Sequence, residues 1–561
     1  MDVIPTTAGS VRGRREGGVA AFVGIPYAAP PFGPRRLRPP QPPEPWSGVR
    51  DAFAPGPSAP QPGYHPALVG LLGEAGEVGE DCLSLNVWTP SPGRAEGGLP
   101  VMVWVHGGAF RNGAGSLPSY DGTRLAADGV VCVTLNYRLG AEGFLLLPDG
   151  TSNLGLLDQI AALEWVRDNI AGFGGDPDNV TVFGQSAGAI SITALLAMPR
   201  ARGLFRRVIT QSGAGHHSHP EHIARRVTER LASLAGVAPT REALAAVPPE
   251  RLVAADAALS REIAQDTDPA RWGESAGGGT TVLPVVDGVT LPERPIDAIA
   301  AGAGRDIDVL TGTTSEEFRL FLVPLGITPR ITDEVLHGFL AGFGLDPDHA
   351  RAVYAAARPG ACPGDLFSAA MTDHAYRVPA VRVAEARAAS GAETFVYEFT
   401  RPSPAMDGAL GACHMAEIGF VFGNLTDPLV GPDAPRDLSD RMRAAWTSFA
   451  RTGRPDAVTS GDATPSWPAY GERRSVMLLG DAEPAVCDDP AADARELWAG
   501  RRWQREPRQG RGGGRRRAHR LRTRPVRWRV PETRLSARRP ARRIGSWTRA
   551  LSSGEYGSTP R

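Results

Sequence analysis

The chain has 561 residues, of which 42% are hydrophobic and 22% charged, a balance that fits a globular protein with a large core and excludes a fibrous or wholly disordered chain. Its formal net charge of zero hides two unlike parts: from Trp503 onward 18 arginines face 3 glutamates, a net of +15, while residues 1–502 carry −15. Cys82, Cys132, Cys362, Cys413 and Cys487 are scattered and form no CxxC pair, which implies neither a disulfide framework nor a zinc site and fits a reducing compartment.

The first residues, MDVIPTTAGSVRGRREGG, contain an early acid, Asp2, and no apolar run, so they do not read as a signal peptide. No uninterrupted apolar stretch approaches the ~20 residues that span a bilayer. A soluble, cytoplasmic protein without membrane contact is expected. The first sixty residues are proline-rich with short β-like pieces. Short β-branched runs follow at Val101–Val105, Val130–Asn136, Val180–Phe183, Arg207–Gln211, Ile307–Leu310, Thr394–Phe399 and Ser475–Leu479. Such unalternated runs predict strands covered on both faces. Between them, Leu154–Asn169 repeats apolar residues at helical spacing (Leu156, Leu157, Ile160, Leu163, Val166). Leu438–Ala450 is a second amphipathic stretch, closed by the stop signals Gly453 and Pro455. Strands alternating with helices predict an α/β fold around a mostly parallel sheet. After Trp503 the periodicity ends, and an arginine-rich stretch of this kind buries too little apolar surface to offset chain entropy. The sequence therefore divides into a folded domain, 1–502, and an Arg-rich tail, 503–561, expected to be disordered.

The strongest chemical signal is VTVFGQSAGAIS. A strand runs into Gly184-Gln185-Ser186-Ala187-Gly188 and then into a helical start. This is the pattern of a nucleophile elbow, a sharp strand-to-helix turn that exposes a serine Oγ at the edge of the sheet. Glycines flank the serine because a Cβ there meets the neighbouring strand or helix, and the helix beginning at Ala187 turns its positive end toward a developing anion. Upstream, Trp104–Phe110 (WVHGGAF) follows a predicted strand, where a hydrolase of this type places its oxyanion loop. The charge on a tetrahedral intermediate must meet N–H donors ~2.7–3.1 Å away, and small residues let the backbone come that close.

A serine nucleophile needs a base, and the base an orienting acid. Of eleven histidines, His414 in GACHMAEIGFVFGN lies late in the chain after a predicted strand, in the Ser…acid…His order of the α/β-hydrolase fold. The acid should follow a strand between Ser186 and His414. DVLTGTTSEEF offers Glu316 and Glu317, whose adjacent side chains diverge, so only one can face the imidazole.

Across residues 5–500 the chain resembles the type-B carboxylesterases, which share their fold with the cholinesterases. The resemblance runs through GIPYAAPPFGPRRLRPP, EDCLSLNVWTP, HGGAF, SYDGTRLA, NYRLG, NLGLLDQIAALEWVRDNIAGFGGDPDNVTVFGQSAG, QSGA, GTTSEEF and the His414 segment. It implies an α/β-hydrolase fold with helical insertions over the pocket, ester cleavage through an acyl-enzyme on Ser186, and Glu317 as acid with His414 as base. It further implies oxyanion donors at the N–H groups of Gly108, Ala109 and Ala187, a small-molecule ester substrate, and no cofactor or metal. The family's acidic motif reads Asp-Glu-Gly, so Glu316 stands in the Asp place and Phe318 in the Gly place, a change expected to narrow the pocket. Secreted relatives pair the cysteine of the EDC motif with an upstream cysteine; none precedes Cys82, which is therefore expected to be free. The resemblance also places the segment after QSG near the pocket, so that His216 or His217 is a candidate substrate contact.

Other readings are weaker. Cys413 beside His414 is not a Cys–His dyad, because neighbouring side chains point apart. His216, His217, His219 and His222 fit no common zinc spacing. A catalytically silent binding member of the same fold usually lacks the serine or histidine, and both are present. The tail offers phosphate neutralisation, hence a nucleic-acid or anionic partner, but arginine and proline without periodicity are also what an out-of-frame GC-rich gene encodes.

Overall fold

The computed structural model describes residues 1–93, 98–456 and 467–500; the Arg-rich tail, 503–561, lies outside them. The seven predicted strands pair edge to edge. Val131–Leu135, Leu99–Val105, Gly175–Gln185, Arg207–Gln211, Asp308–Thr314, Thr394–Phe399 and Ser475–Leu479 form one parallel array in that spatial order. Antiparallel strands extend it at both ends: Ser84–Thr89, Val19–Pro26, Ser10–Glu16 and Asp2–Pro5 on one side, and Ala485–Asp488 on the other.

The run VMVWV is buried at every position because both faces of the sheet are covered. Val101, Val103 and Val105 belong to one core, with Leu156, Ile160, Leu163 and Val166 of helix Leu154–Asn169 and Ile192 and Leu195 of helix Ala187–Ala197. Met102 and Trp104 point the other way, into a core with Met442, Trp446 and Phe449 of helix Arg436–Thr452. A third cluster is helical. Leu336, Leu340, Tyr354, Leu366 and Ala370 from helices Asp333–Gly342, Pro347–Ala356 and Pro363–Thr372 close around Trp498, just after the helix Ala492–Leu497.

Two strands run longer than their sequence signals. The strand before the elbow begins at Gly175 rather than Val180, over a GDPDN stretch with no β propensity of its own, because Leu99 pairs with Gly175. Asp308–Thr314 continues past Leu310 through Thr-Gly-Thr-Thr, where Gly312 is required: a Cβ there would lie 2.2 Å from the Tyr397 ring. That extension carries the chain to the acidic loop.

Among the described residues a buried ion pair ties the sheet to its first long helix. Arg138 of NYRLG and Asp158 of LGLLDQI are fully buried, with Arg138 Nη2 2.7 Å from Asp158 Oδ1 and Nε 2.8 Å from Oδ2. Buried charges are tolerated only when paired and hydrogen-bonded on this scale. Among the described residues no helix is long and apolar enough to cross a membrane.

Candidate active site

Strand Gly175–Gln185 ends at the serine, and helix Ala187–Ala197 begins directly after it. Ser186 has φ 56° and ψ −122°, left-handed backbone that a non-glycine residue adopts only when its surroundings enforce it. The surroundings are visible. A Cβ on Gly184 would lie 2.6 Å from the Val105 carbonyl oxygen, and one on Gly188 would lie 1.9 Å from the same atom. The Ser186 N–H donates to Gln211 O at 2.9 Å, and Ser186 is the one half-exposed residue in a buried stretch.

The HGGAF loop crosses above. Gly108 has φ 114°, Ala109 56° and Phe110 61°, three successive residues in the left-handed region. Asn112 N and Arg111 N close the turn on Gly108 O at 2.9 and 3.0 Å. Among the described residues, no chain acceptor takes the N–H of Gly108 or Ala109. A Cβ on Gly107 would lie 2.9 Å from the Gln185 carbonyl oxygen and 3.1 Å from the Ser186 Cβ, so glycine lets the loop pass this close to Ser186. His106 behind it stacks on Tyr137, and burial pulls its imidazole down to about 4, keeping it neutral under the loop.

Glu317 and His414 are brought together from 97 residues apart: His414 Nδ1 donates to Glu317 Oε2 at 2.5 Å, and Glu317 is fully buried. The other carboxylate oxygen accepts the Thr314 N–H at 2.8 Å, and the backbones join through His414 N and Glu317 O. His414 Nε2 lies 2.9 Å from the amide nitrogen of Gln185, the residue immediately before Ser186. With Nδ1 donating, Nε2 is the acceptor and is held toward the elbow.

Glu316 turns away. Its Oε2 accepts the Ala412 N–H at 3.1 Å and Oε1 pairs with Arg319 at 3.2 Å, so it braces the loop that carries the histidine. Gly411 lies against it at φ 58°, and a Cβ there would lie 1.9 Å from Glu316 Oε2 and displace that carboxylate. Phe318, the residue expected to narrow the pocket, packs on Phe321 and Phe367, and Phe321 in turn lies 5.3 Å from the His414 ring. Cys413 is buried in the second core, and desolvation pushes its thiol well up.

In the histidine-rich segment His216 and His219 are buried and His217 is half-buried. Among the described residues no set of three or more His, Cys, Asp or Glu side chains is arranged to hold a metal ion. His217 Nε2 lies 2.9 Å from Ala375 O. Pro379, four residues on, has no N–H to offer that carbonyl, and the histidine supplies the missing donor.

Sequence reasoning also missed Glu417. It is fully buried three residues after His414, and it accepts from Gln211 Nε2 at 3.2 Å, the same Gln211 whose carbonyl takes the Ser186 N–H. Desolvation, reinforced by the Glu317 charge, pushes its carboxyl up to about 8. A Glu among apolar residues at helical spacing carries no local mark of burial.

Residues 1–339 and 354–498 match the model of the carboxylesterase family. The chain belongs to that family. Over 508 residues it is 41% identical to para-nitrobenzyl esterase of Bacillus subtilis (strain 168), covering 88% of this chain and 98% of that one. Liver carboxylesterase of Sus scrofa is 34% identical over 510 residues, 82% of this chain and 85% of that one. The crystal structure of Geobacillus stearothermophilus carboxylesterase EST55 at pH 6.2 superposes with a TM-score of 0.77 at 38% identity, covering 88% of this chain and 99% of that one. Like its family, this carboxylesterase is a serine hydrolase that cleaves carboxylic esters, built on the α/β-hydrolase fold.

Proposed function

We propose that Ser186 is the nucleophile, His414 the general base and Glu317 the acid that orients it, with the N–H groups of Gly108, Ala109 and Ala187 as oxyanion donors. The observation that carries this reading is the His414 side chain, bonded through Nδ1 to Glu317 at 2.5 Å and held through Nε2 beside the elbow by Gln185. As the ester carbonyl enters, Ser186 Oγ attacks it and its proton passes to His414 Nε2. Glu317 stabilises the imidazolium, and the oxyanion meets N–H groups already aimed at it, including the first of the Ala187 helix. His414 returns the proton to the departing alcohol, and water repeats the sequence on the acyl-enzyme. Every proton transfer has a residue to serve it, so the mechanism calls for no metal or cofactor.

The substrate on this reading is a small-molecule ester. The five unpaired cysteines, three of them buried, support a reducing, cytoplasmic location.

The test is turnover of p-nitrophenyl acetate. Ser186→Ala and His414→Ala should each lower kcat by roughly 10⁴-fold or more, the double variant no further, because the groups act as one unit. Glu317→Gln should cost about 10²- to 10⁴-fold and Glu316→Gln far less. Loss of activity in Glu316→Gln with Glu317→Gln near wild type would reverse the assignment of the acid.

A further inference from the structure

Among the described residues two aromatic rings lie against the His414 imidazole. Phe321 lies 5.3 Å away between centroids, in the helix Arg319–Leu322 just after the acidic loop; Tyr376 lies 4.8 Å away, tilted by 42°. Tyr376 comes from a different part of the fold, the five-residue π-turn Asp373–Arg377 between helices Pro363–Thr372 and Val378–Ala389.

The turn is over-determined. The Val378 N–H reaches back to Asp373 O, and Pro379 leaves Ala375 O to His217. Asp373 Oδ2 accepts from Tyr354 OH at 2.7 Å, and its other oxygen pairs with Arg377. Arg377 also bonds Glu398 Oε1 at 2.7 Å and Ser315 O at 3.2 Å, and Ser315 lies two residues before Glu317. One arginine therefore ties the segment bearing the ring to the loop bearing the acid. Inserted π-turns frequently occur at functional sites, where they re-aim a side chain.

We propose that Tyr376 is a positioning residue for the base: its ring face, with Phe321, holds the His414 imidazole and stabilises the imidazolium that forms as Ser186 gives up its proton. The warrant is that a cation within about 6 Å of an aromatic centroid is attracted to the ring's negative face, most strongly when water is excluded. The proposal rests on His414 being the base. The titratable or charged groups on the segments packed against the imidazole are Glu316, Glu317 and Arg319 around the acidic loop, Cys413 and Glu417 beside the histidine, and Asp373, His374 and Arg377 in the π-turn. All stay in place in the variants below.

The experiment compares Tyr376→Phe, Tyr376→Leu and an isosteric series with mono-, di- and trifluorinated phenylalanine at 376, reading kcat, KM, melting temperature and the acid limb of the pH profile of kcat/KM. Tyr376→Phe should retain activity within about twofold, because the ring remains. Tyr376→Leu should lose ~10-fold in kcat with little change in KM, and its acid limb should move to lower pH as the cation loses its partner. Stepwise fluorination, which drains the ring face at nearly constant shape, should lower kcat and shift the limb progressively. This series decides the matter if the leucine variant fails to fold. A limb and kcat unmoved by fluorination, or a Tyr376→Phe variant as impaired as Tyr376→Leu, would overturn the proposal. His414→Ala retaining turnover would instead bring down the catalytic reading beneath it.

Discussion

On the catalytic roles proposed above, the two halves of the active site are built by different means. The nucleophile half is made of backbone: a serine forced to φ 56°, a loop with three consecutive positive φ values, and glycines whose replacement would drive a Cβ into Val105 O or Asn112 O. The base half is made of side chains: Glu317, His414, Glu417, Phe321 and Tyr376, drawn from segments far apart in sequence and fixed by one another. Each half should therefore fail in its own way. A backbone device tolerates no added atom but is written in a few contiguous letters. A side-chain device is spread over the fold and depends on the burial and charge of its neighbours.

The sharpest way to break the nucleophile half without touching a triad side chain is Gly108→Ala. A Cβ there would lie 2.0 Å from Asn112 O, in a backbone with φ 114°, so the loop must shift and carry the Gly108 and Ala109 N–H groups with it. Loss of oxyanion donors of this kind costs about 10²- to 10³-fold in kcat, and the variant should show that loss with a smaller change in KM. Near-wild-type kcat would mean that the oxyanion is held elsewhere.

The base half should respond to pH through Glu417. Its carboxyl keeps its proton in the fold to about pH 8, against an ordinary value of 4.5. The folded state thus binds a proton that the unfolded chain releases, and this contribution to stability is full below about 4.5 and is lost as pH rises toward about 8. Glu417→Gln retains the acceptor for Gln211 without an ionisable group, so it should flatten the fall in melting temperature across that window and gain most at its upper end. An unchanged slope, measured by calorimetry across that range, would place the pH sensitivity in another group.

The smallest effect is expected from the tail. We propose that residues 503–561 serve neither half: the match to the carboxylesterase family ends at residue 498, and the charge reverses after Arg502. Truncation after Arg502 should leave melting temperature and kcat/KM unchanged, and should remove any salt-sensitive binding to DNA or heparin. A cut before Trp498 is different, because that side chain is 1% exposed and donates through Nε1 to Tyr354 OH at 2.9 Å. If truncation after Arg502 lowered either quantity, the tail would be a working part of the enzyme.

How much was legible follows the same division. Arg207–Gln211, Thr394–Phe399, Ser475–Leu479 and the helix Leu154–Asn169 stand where apolar runs and periodicity predict them, because two-sided burial leaves a local mark. The elbow and the HGGAF turn were legible because each is written in contiguous small residues. Glu317 and Glu316 could not be separated by spacing, and the family resemblance was needed to order them; in the fold, one is fully buried against the imidazole and the other braces the Ala412 N–H. Phe318 drew attention as the odd residue in its motif, yet Phe321 and Tyr376 are the rings that reach His414. Nor could spacing show that His217 caps Ala375 O, since its reason is a proline more than 150 residues away.

The most direct test of the account is covalent. Treatment with diethyl p-nitrophenyl phosphate should release one p-nitrophenol per chain and abolish esterase activity, with the diethylphosphoryl group found by peptide mass spectrometry on Ser186; the Ser186→Ala chain should remain unlabelled. Phosphorylation of another residue in step with the loss of activity, or stoichiometric labelling of Ser186→Ala, would contradict the assignment of the nucleophile.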